Sequence, residues 1–371
     1  MIVRRTGLRV GTITGETMRN SKKKPGEIAV YGAGLAGMVA AINLARDGHR
    51  VVVYDREPRI GGSAAVHPSI HTTPLQPRET WDYIGIDLSD CFVPTREYPA
   101  FWYNSKRITL PPYVNNTKAY NVERGPRKSS IDTRLYDIAR AEKVQFVFGR
   151  TLGAEELARA PKGSIIATGL YREVYDLVGV RCAGTYGYIA AAPAPEGESS
   201  GAIHMGRYSV DYGYTASLNG LLFALLFSRS PLSERDLAAF RKVLYKSRRI
   251  EFDSWRSFTG YFPREARLFW EGKILAGTLS GMIEPFWGYG IVGALLSGRV
   301  AALAHSSTTR AAMDFYRFTR AFKSKLARKE KMDSLPFNKQ LLRLAILKAR
   351  FDCWRNPDLA NSVREPVRWF E

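Results

Sequence analysis

A short apolar run followed by three spaced glycines constrains this chain more than any other feature. Glu27–Tyr31 carries Ile28, Ala29 and Val30, and Gly32, Gly34 and Gly37 follow directly. Met38, Ala41, Ile42 and Ala45 recur at helical spacing and Gly48 closes that helix. Val51-Val52-Val53 then forms a second strand ending at Asp55. Strand, glycine turn, helix, strand and terminal acid within about 30 residues is what a dinucleotide-binding βαβ unit requires. Gly32 permits the tight turn, Gly34 lets the backbone approach a pyrophosphate, and Gly37 with Ala41 lets the helix sit close on the sheet. The turn and first helical residues, Ala33, Leu35 and Ala36, offer N–H groups and a positive dipole end to phosphates. Asp55 stands where a carboxylate can accept ribose hydroxyls.

A second glycine cluster lies near residue 280. Lys273–Ala276 reads as a strand leading into Gly277-Thr278-Leu279-Ser280-Gly281, and Pro285, Gly288, Gly290 and Ile291 follow. A helix with small and apolar positions at Ala294, Leu295, Gly298, Ala301 and Ala302 comes next. Its N-terminus at Gly290-Ile291 can stabilise negative charge. Between the clusters, Ile165-Ile166 ends in the turn Ala167-Thr168-Gly169.

After Asp55, Arg56-Glu57-Pro58-Arg59-Ile60-Gly61-Gly62 resembles the segment that follows the acid in FAD-binding flavoproteins of the glutathione reductase type. Together these stretches resemble the p-hydroxybenzoate-hydroxylase-type FAD fold and, within it, the FAD-dependent geranylgeranyl reductase family. That family's late motif reads G-D-A-A-G-x-x-x-P-x-x-G-x-G-I, and Gly277, Gly281, Pro285, Gly288, Gly290 and Ile291 fall at matching spacing. Tyr120-Asn121-Val122-Glu123-Arg124, followed by Asp132, Leu135 and Ala139, is similar to the family's arginine-and-helix motif. The resemblance implies that Arg124 lies near the FAD phosphates. Ala167-Thr168-Gly169 resembles a strand-end turn of FAD proteins. There are departures: Thr278 replaces the family's ribityl-binding aspartate, Arg124 precedes Asp132 by more than the usual gap, and Ser63 and His67 occupy the neighbourhood of a missing cysteine.

The expected fold is α/β: a Rossmann-like FAD-binding domain, an inserted antiparallel-sheet substrate domain and a C-terminal helical tail. The FAD-binding part is expected to be discontinuous (27–71, 113–170 and 270–305), with a substrate or cap region at 72–112 and 171–269. The segment 72–112, rich in proline and aromatics, reads as small strands rather than helices, and 191–197 as an exposed loop.

The resemblance implies an FAD-dependent oxidoreductase that reduces carbon–carbon double bonds of a prenyl lipid, or another apolar small molecule, by hydride transfer from flavin N5. NAD(P)H or a reduced redox carrier would supply the electrons. Aromatics at Trp255, Phe258, Tyr261 and Phe262 suit an apolar cavity wall. Tyr212 or Tyr214 would serve as general acid. His67, close behind Gly61-Gly62, is a positional candidate. Two alternatives stand beside this: a flavin-dependent aromatic monooxygenase of the same fold, and a non-catalytic prenyl-binding protein resembling Rab GDP-dissociation inhibitors.

Charge adds a partner class. Lys+Arg 55 against Asp+Glu 35 gives a net +20, which favours anionic partners. Residues 1–26 hold seven basic side chains against Glu16 and read as a basic arm, with Met18 an alternative start. Residues 306–371 carry 15 basic and 7 acidic residues and read as a basic tail of two helices, the first near Arg310–Lys331, the second from about Leu335. Basic charge at both ends, with a basic amphipathic helix in the tail, adds an anionic membrane surface as a partner. The expected location is the cytoplasm, peripheral on the inner face of the membrane. No nucleic-acid-binding motif accompanies the charge, so that partner is not expected. Three well-separated cysteines rule out a disulfide framework, and Pro68 between His67 and His71 argues against a metal site.

Overall fold

The computed structural model describes residues 26–96, 99–335, 337–362 and 369–370. The basic arm up to Pro25, with Met18, lies outside the described residues. The first glycines form the unit their spacing predicts: β1 (Glu27–Tyr31), α1 (Leu35–Arg46) and β2 (Arg50–Tyr54). Next come β3 (Ser69–Pro74), α2 (Pro77–Ile84), β4 (Phe92–Pro94), β5 (Ala100–Tyr103) and β6 (Lys106–Ile108). The chain continues through α3 (Pro112–Asn115), β7 (Ala119–Arg124), α4 (Ile131–Ala141), β8 (Gln145–Val147), α5 (Ala154–Arg159), β9 (Ile165–Ile166) and α6 (Arg172–Val178). Four long strands follow, β10 (Cys182–Pro193), β11 (Ser200–Met205), β12 (Tyr212–Leu218) and β13 (Leu221–Ser228). Then come α7 (Glu234–Arg248), β14 (Arg256–Pro263), β15 (Phe269–Trp270) and β16 (Lys273–Leu275). The tail is helical: α8 (Ile291–Ser306), α9 (Thr308–Thr319), α10 (Phe322–Asp333), α11 (Asn338–Arg355) and α12 (Pro357–Asn361).

These strands make three sheets. The first has the order β15-β16-β9-β1-β2-β8. All of its pairs are parallel except β15 with β16. The second, β14-β10-β13-β12-β11-β5-β6, is antiparallel apart from the β11–β5 pair. The third is β3-β7-β4. The α/β class with a Rossmann-like unit, an antiparallel sheet and terminal helices is therefore the architecture that the motifs implied.

Helix α1 is buried from Leu35 to Leu44 because the parallel sheet covers one side and α8 another. Small residues make that crossing close. A Cβ on Gly298 would sit 2.4 Å from the Ala36 carbonyl oxygen and 2.8 Å from Val39 Cβ. This is why α8 carries glycine there.

Three local expectations change. Segment 72–112 contains helix α2, with Pro77 in its first turn and Gly85 closing it at φ +67°. The expected first tail helix is two, α9 and α10, broken at Arg320-Ala321, and the next begins at Asn338. Ala191–Pro193 belongs to β10, where it pairs with Leu221–Phe223, so the exposed loop starts later. The tail packs through buried cations as well as apolar residues. Lys329 Nζ lies 2.8 Å from the Asp211 carboxylate, and Lys339 Nζ donates to the Val210 carbonyl at 2.7 Å.

Candidate cofactor and substrate site

Three turns stand side by side at the carboxyl edge of the parallel sheet, where open α/β sheets bind ligands. They follow β1, β9 and β16, whose pairings run Val30↔Ile165 and Ile274↔Ile165. Gly32 adopts φ +111°, and a Cβ there would lie 2.4 Å from the Ala167 carbonyl oxygen. The first turn and the Ala167-Thr168-Gly169 turn are thus in contact. Gly37 is held as closely, since its Cβ would fall 1.9 Å from the Gly32 carbonyl oxygen. Gly34 differs: a Cβ on it would meet no heavy atom within 4 Å. It caps α1 with no side-chain hydrogen bond, and the helix's first turn holds no acidic residue. The free N–H groups of that turn are therefore open to an anion.

The second cluster meets the first. A Cβ on Gly277 would lie 3.3 Å from Ala36 Cβ, and the Gly277 N–H donates to Ser297 Oγ of α8 at 2.7 Å. Thr278 sits part-exposed between buried Gly277 and Leu279. The loop onward is braced from several sides. Glu284 accepts the Trp287 N–H at 2.7 Å and pairs with Lys325 at 3.6 Å. The Pro285 carbonyl accepts from Arg229 at 2.7 Å, and the Trp287 carbonyl accepts from the Tyr212 phenol at 2.8 Å. Gly288 is left-handed at φ +82°, and Gly290 caps α8 just before buried Ile291.

Asp55 accepts the Ala33 N–H at 2.6 Å and the Glu57 N–H at 2.8 Å. A carboxylate has about four acceptor positions, so about two remain for hydroxyl groups. Arg56 lies with its guanidinium carbon 3.6 Å from the centroid of the Tyr171 ring and donates to the Tyr171 phenol. No sequence motif marks Tyr171. The only hint was its place two residues beyond Gly169. Gly61 and Gly62 pack inward: their Cβ positions would fall 2.5 Å from Pro126 N and 2.9 Å from His67 Cδ2.

Arg124 is engaged with a protein carboxylate. Its Nε and Nη2 donate to Asp132 at 2.7 and 2.8 Å, and the Gly125 N–H adds a third bond to the same carboxylate at 3.0 Å. Beside this pair, the Ser69 hydroxyl joins two imidazoles, His67 Nδ1 at 2.9 Å and His71 Nε2 at 3.0 Å. Burial, reinforced by Arg124 and opposed by Asp132, pushes His67 down to about 3. The same causes push His71 down to about 4. Unfolded histidines titrate near about 6.5. As pH falls below that value the unfolded chain takes up protons first, so these two residues cost stability progressively. Both imidazole resonances should show no titration between pH 8 and pH 5 in NMR spectra of the folded protein; an inflection in that range for either would disprove the assignment.

On the antiparallel sheet, Tyr212 and Tyr214 share one face of β12 with Phe223 and Phe227 of the neighbouring strand close by. The Tyr214 oxygen accepts the Thr72 N–H at 2.8 Å and lies 2.6 Å from Thr72 Oγ1. Burial raises both phenol pKa values. Trp287 meets Phe101 edge-on at 6.3 Å and joins the same apolar cluster. Of the expected aromatic wall, Phe258 packs on this cluster, whereas Trp255 packs with Phe240 and Phe252 elsewhere. Tyr261 and Phe262 fall into two further clusters.

Residues 30–76 match the family model described as an NAD(P)-binding Rossmann-like domain. A curated relative, the putative flavin-containing monooxygenase FMO GS-OX-like 10 of Arabidopsis thaliana, is 28% identical over 63% of this chain and 53% of its own. FMO GS-OX-like 11 of the same plant is 48% identical over 23% of this chain and 42% of its own. The chain thus spans about half, or less, of the length of these relatives. Among solved structures, a geranylgeranyl bacteriochlorophyll reductase-like protein from Thermoplasma acidophilum superposes with TM-score 0.65 at 16% identity, covering 90% of this chain and 98% of that one. The p-nitrophenol 4-monooxygenase of Pseudomonas putida gives 0.56 at 15% identity, covering 91% and 99%. The fold is that of flavoprotein oxidoreductases.

Proposed function

We propose that this chain is an FAD-dependent oxidoreductase that reduces carbon–carbon double bonds of a prenyl lipid, with NAD(P)H or a reduced carrier as electron source. One observation carries the reading: two glycine clusters more than two hundred residues apart meet at Gly277 and Ala36, beside a helix N-terminus that faces open space at Gly34. A further feature fits a bound group. Thr168 Oγ1, next to the first turn, is buried and has no hydrogen-bond partner among the described residues.

When bound, FAD supplies the hydride or electron-transfer chemistry that protein side chains lack. The chain's own residues do the rest. Gly34 and the first turn of α1 would hold the pyrophosphate, and Asp55 the ribose. Arg56, oriented by Tyr171, would add positive charge. The α8 N-terminus at Gly290-Ile291 would stabilise negative charge on the ring system. Thr278 offers a hydroxyl where the resembled family has an acid, so it orients without repelling anionic charge. Arg124, already neutralised by Asp132, supports the loop that backs Gly61 rather than serving as a free phosphate ligand. The phenol proton of Tyr212 is committed to the Trp287 carbonyl, which makes Tyr212 a positioning residue for that loop. The apolar cluster of Phe101, Phe223 and Trp287 would back an isoprenoid chain.

The curated relatives' names favour a second reading, oxygen-dependent monooxygenation. The discriminating experiment begins with absorption spectra of purified protein before and after anaerobic dithionite. A bound yellow chromophore that bleaches is expected, followed by anaerobic saturation of a geranylgeranyl substrate. Oxygen-dependent NAD(P)H oxidation stimulated by a phenol would replace reduction with hydroxylation. Colourless protein that takes up no FAD, yet retains prenyl lipid, would leave a binding protein.

A further inference from the structure

Helix α11 has two apolar faces, and the fold covers only one. Leu342, Ile346 and Cys353 turn toward the body, where Leu342 and Ile346 pack on the cluster that contains Trp287 and Tyr214. Phe337, Leu341, Leu344, Leu347, Phe351 and Trp354 form the opposite stripe at helical spacing. Exposure is large: Leu344 60%, Phe351 53% and Trp354 77%. Phe351 and Trp354 lean on each other with ring centroids 5.7 Å apart, which presents a joined aromatic surface. A contiguous exposed patch of this kind marks a docking face.

Charge identifies the occupant. The helix carries Lys339, Arg343, Lys348, Arg350 and Arg355 against a single acid, Asp352, which Lys348 pairs at 2.6 Å. Lys348 and Arg355 fall within the stripe's own sector, and Arg343 and Arg350 fall along its border. A second copy of this chain would bury the apolar residues but would bring two cationic helices together, in a protein whose net charge is already +20. Trp, Phe and Leu on one side, with long Lys and Arg side chains among and beside them that can reach up to the headgroups, is instead the pattern of a helix lying in a lipid–water interface. Among the described residues no helix is long and apolar enough to cross a membrane, so contact would be at the surface.

We infer that α11 docks this protein on an anionic bilayer, with Leu344, Phe351 and Trp354 entering the acyl boundary and Arg343, Lys348, Arg350 and Arg355 meeting lipid phosphates. The covered face of the same helix packs on the apolar cluster of the candidate substrate side, so docking would bring that side next to the lipid phase. The inference does not depend on the redox reading, because vesicle binding needs no cofactor.

The test is sedimentation of the full chain with vesicles of phosphatidylcholine alone or mixed with phosphatidylglycerol. Binding to the mixed vesicles is expected, weakening with added salt and negligible on the neutral ones. Phe351→Ser with Trp354→Ser should lower partitioning by at least about tenfold, since each large side chain contributes roughly a tenfold factor when buried. The melting temperature should stay unchanged, because both side chains are exposed. Arg343→Gln with Arg350→Gln should weaken the preference for anionic lipid several-fold, since Lys348 and Arg355 remain. No vesicle binding, equal binding to both lipid mixtures, or full binding by the serine variant would overturn the inference. So would a dimer in solution that the serine variant converts to monomer, since a second copy would then cover the stripe.

Discussion

Replacing Gly34 with valine should leave a folded protein that purifies colourless and takes up no FAD in titration. The expectation rests on an asymmetry among three glycines of one turn. Gly34 has φ −75° and ψ 179°, extended backbone that any residue adopts, and its added side chain would meet nothing in the protein within 4 Å. The fold therefore loses only some N-cap preference, about 1 kcal/mol. A bound pyrophosphate, by contrast, must occupy the same space in order to reach the N–H groups of Leu35 and Ala36. Gly37→Val makes the opposite control: its Cβ would fall 1.9 Å from the Gly32 carbonyl oxygen, so the helix is forced away from its turn and the fold itself suffers. Circular dichroism melts and visible spectra of both variants separate the two effects. A yellow Gly34→Val protein would mean that the dinucleotide lies elsewhere.

The pairing of the two glycine clusters was legible because each carries its own backbone demand, and a strand ahead of each fixed the direction of its turn. Their contact at Gly277 and Ala36 is a tertiary fact, yet it follows once β16, β9 and β1 are taken as parallel neighbours. The parts that were missed had weaker or contrary local signals. Helix α2 has a proline in its first turn and Gly85 at its end, standard start and stop cues. The density of prolines and aromatics around it pointed to strands instead. The break between α9 and α10 at Arg320-Ala321 has neither glycine nor proline, so helical periodicity runs through it and only packing decides. Phe315 joins the main core, whereas Phe322 and Leu326 pack with Phe262 and Ile283. Tyr171 reaches Arg56 from more than a hundred residues away, and no spacing rule connects them.

Arg124 stands in its expected motif with a protein carboxylate as its partner. The longer gap to Asp132 leaves room for the Gly125–Ser130 turn, and that turn folds the aspartate back onto the arginine with two charge-assisted bonds. Gly125 and Pro126 then press against Pro68 and Gly61. The paired Arg124 and Asp132 thus brace the loop behind Gly61.

Removing that support should be costly to stability. Asp132→Ala is expected to lower unfolding free energy by about 3–5 kcal/mol, the usual consequence of stripping one partner from a buried pair. Asp132 is 1% exposed, and Arg124, at 16%, would be left without a counter-charge. The effect carries a pH signature. Burial alone would raise the Asp132 pKa, but the Arg124 charge and hydrogen bonds, with smaller contributions from His67 and the Gly125 N–H, bring it below the ordinary value. An unfolded aspartate titrates near about 3.9. Above that pH the stabilisation is fully present, and it is lost as pH falls through the lower, folded-state value. Urea unfolding at pH 7 and at successive steps below pH 4 should therefore show the gap between parent and Asp132→Ala closing with acid. Replacing both partners, Arg124→Met with Asp132→Leu, should recover much of the loss at pH 7, because no buried charge is then left unpaired. A loss under about 1 kcal/mol for Asp132→Ala, or a gap that stays constant in acid, would show that solvent reaches the pair and that the loop behind Gly61 is held by packing alone.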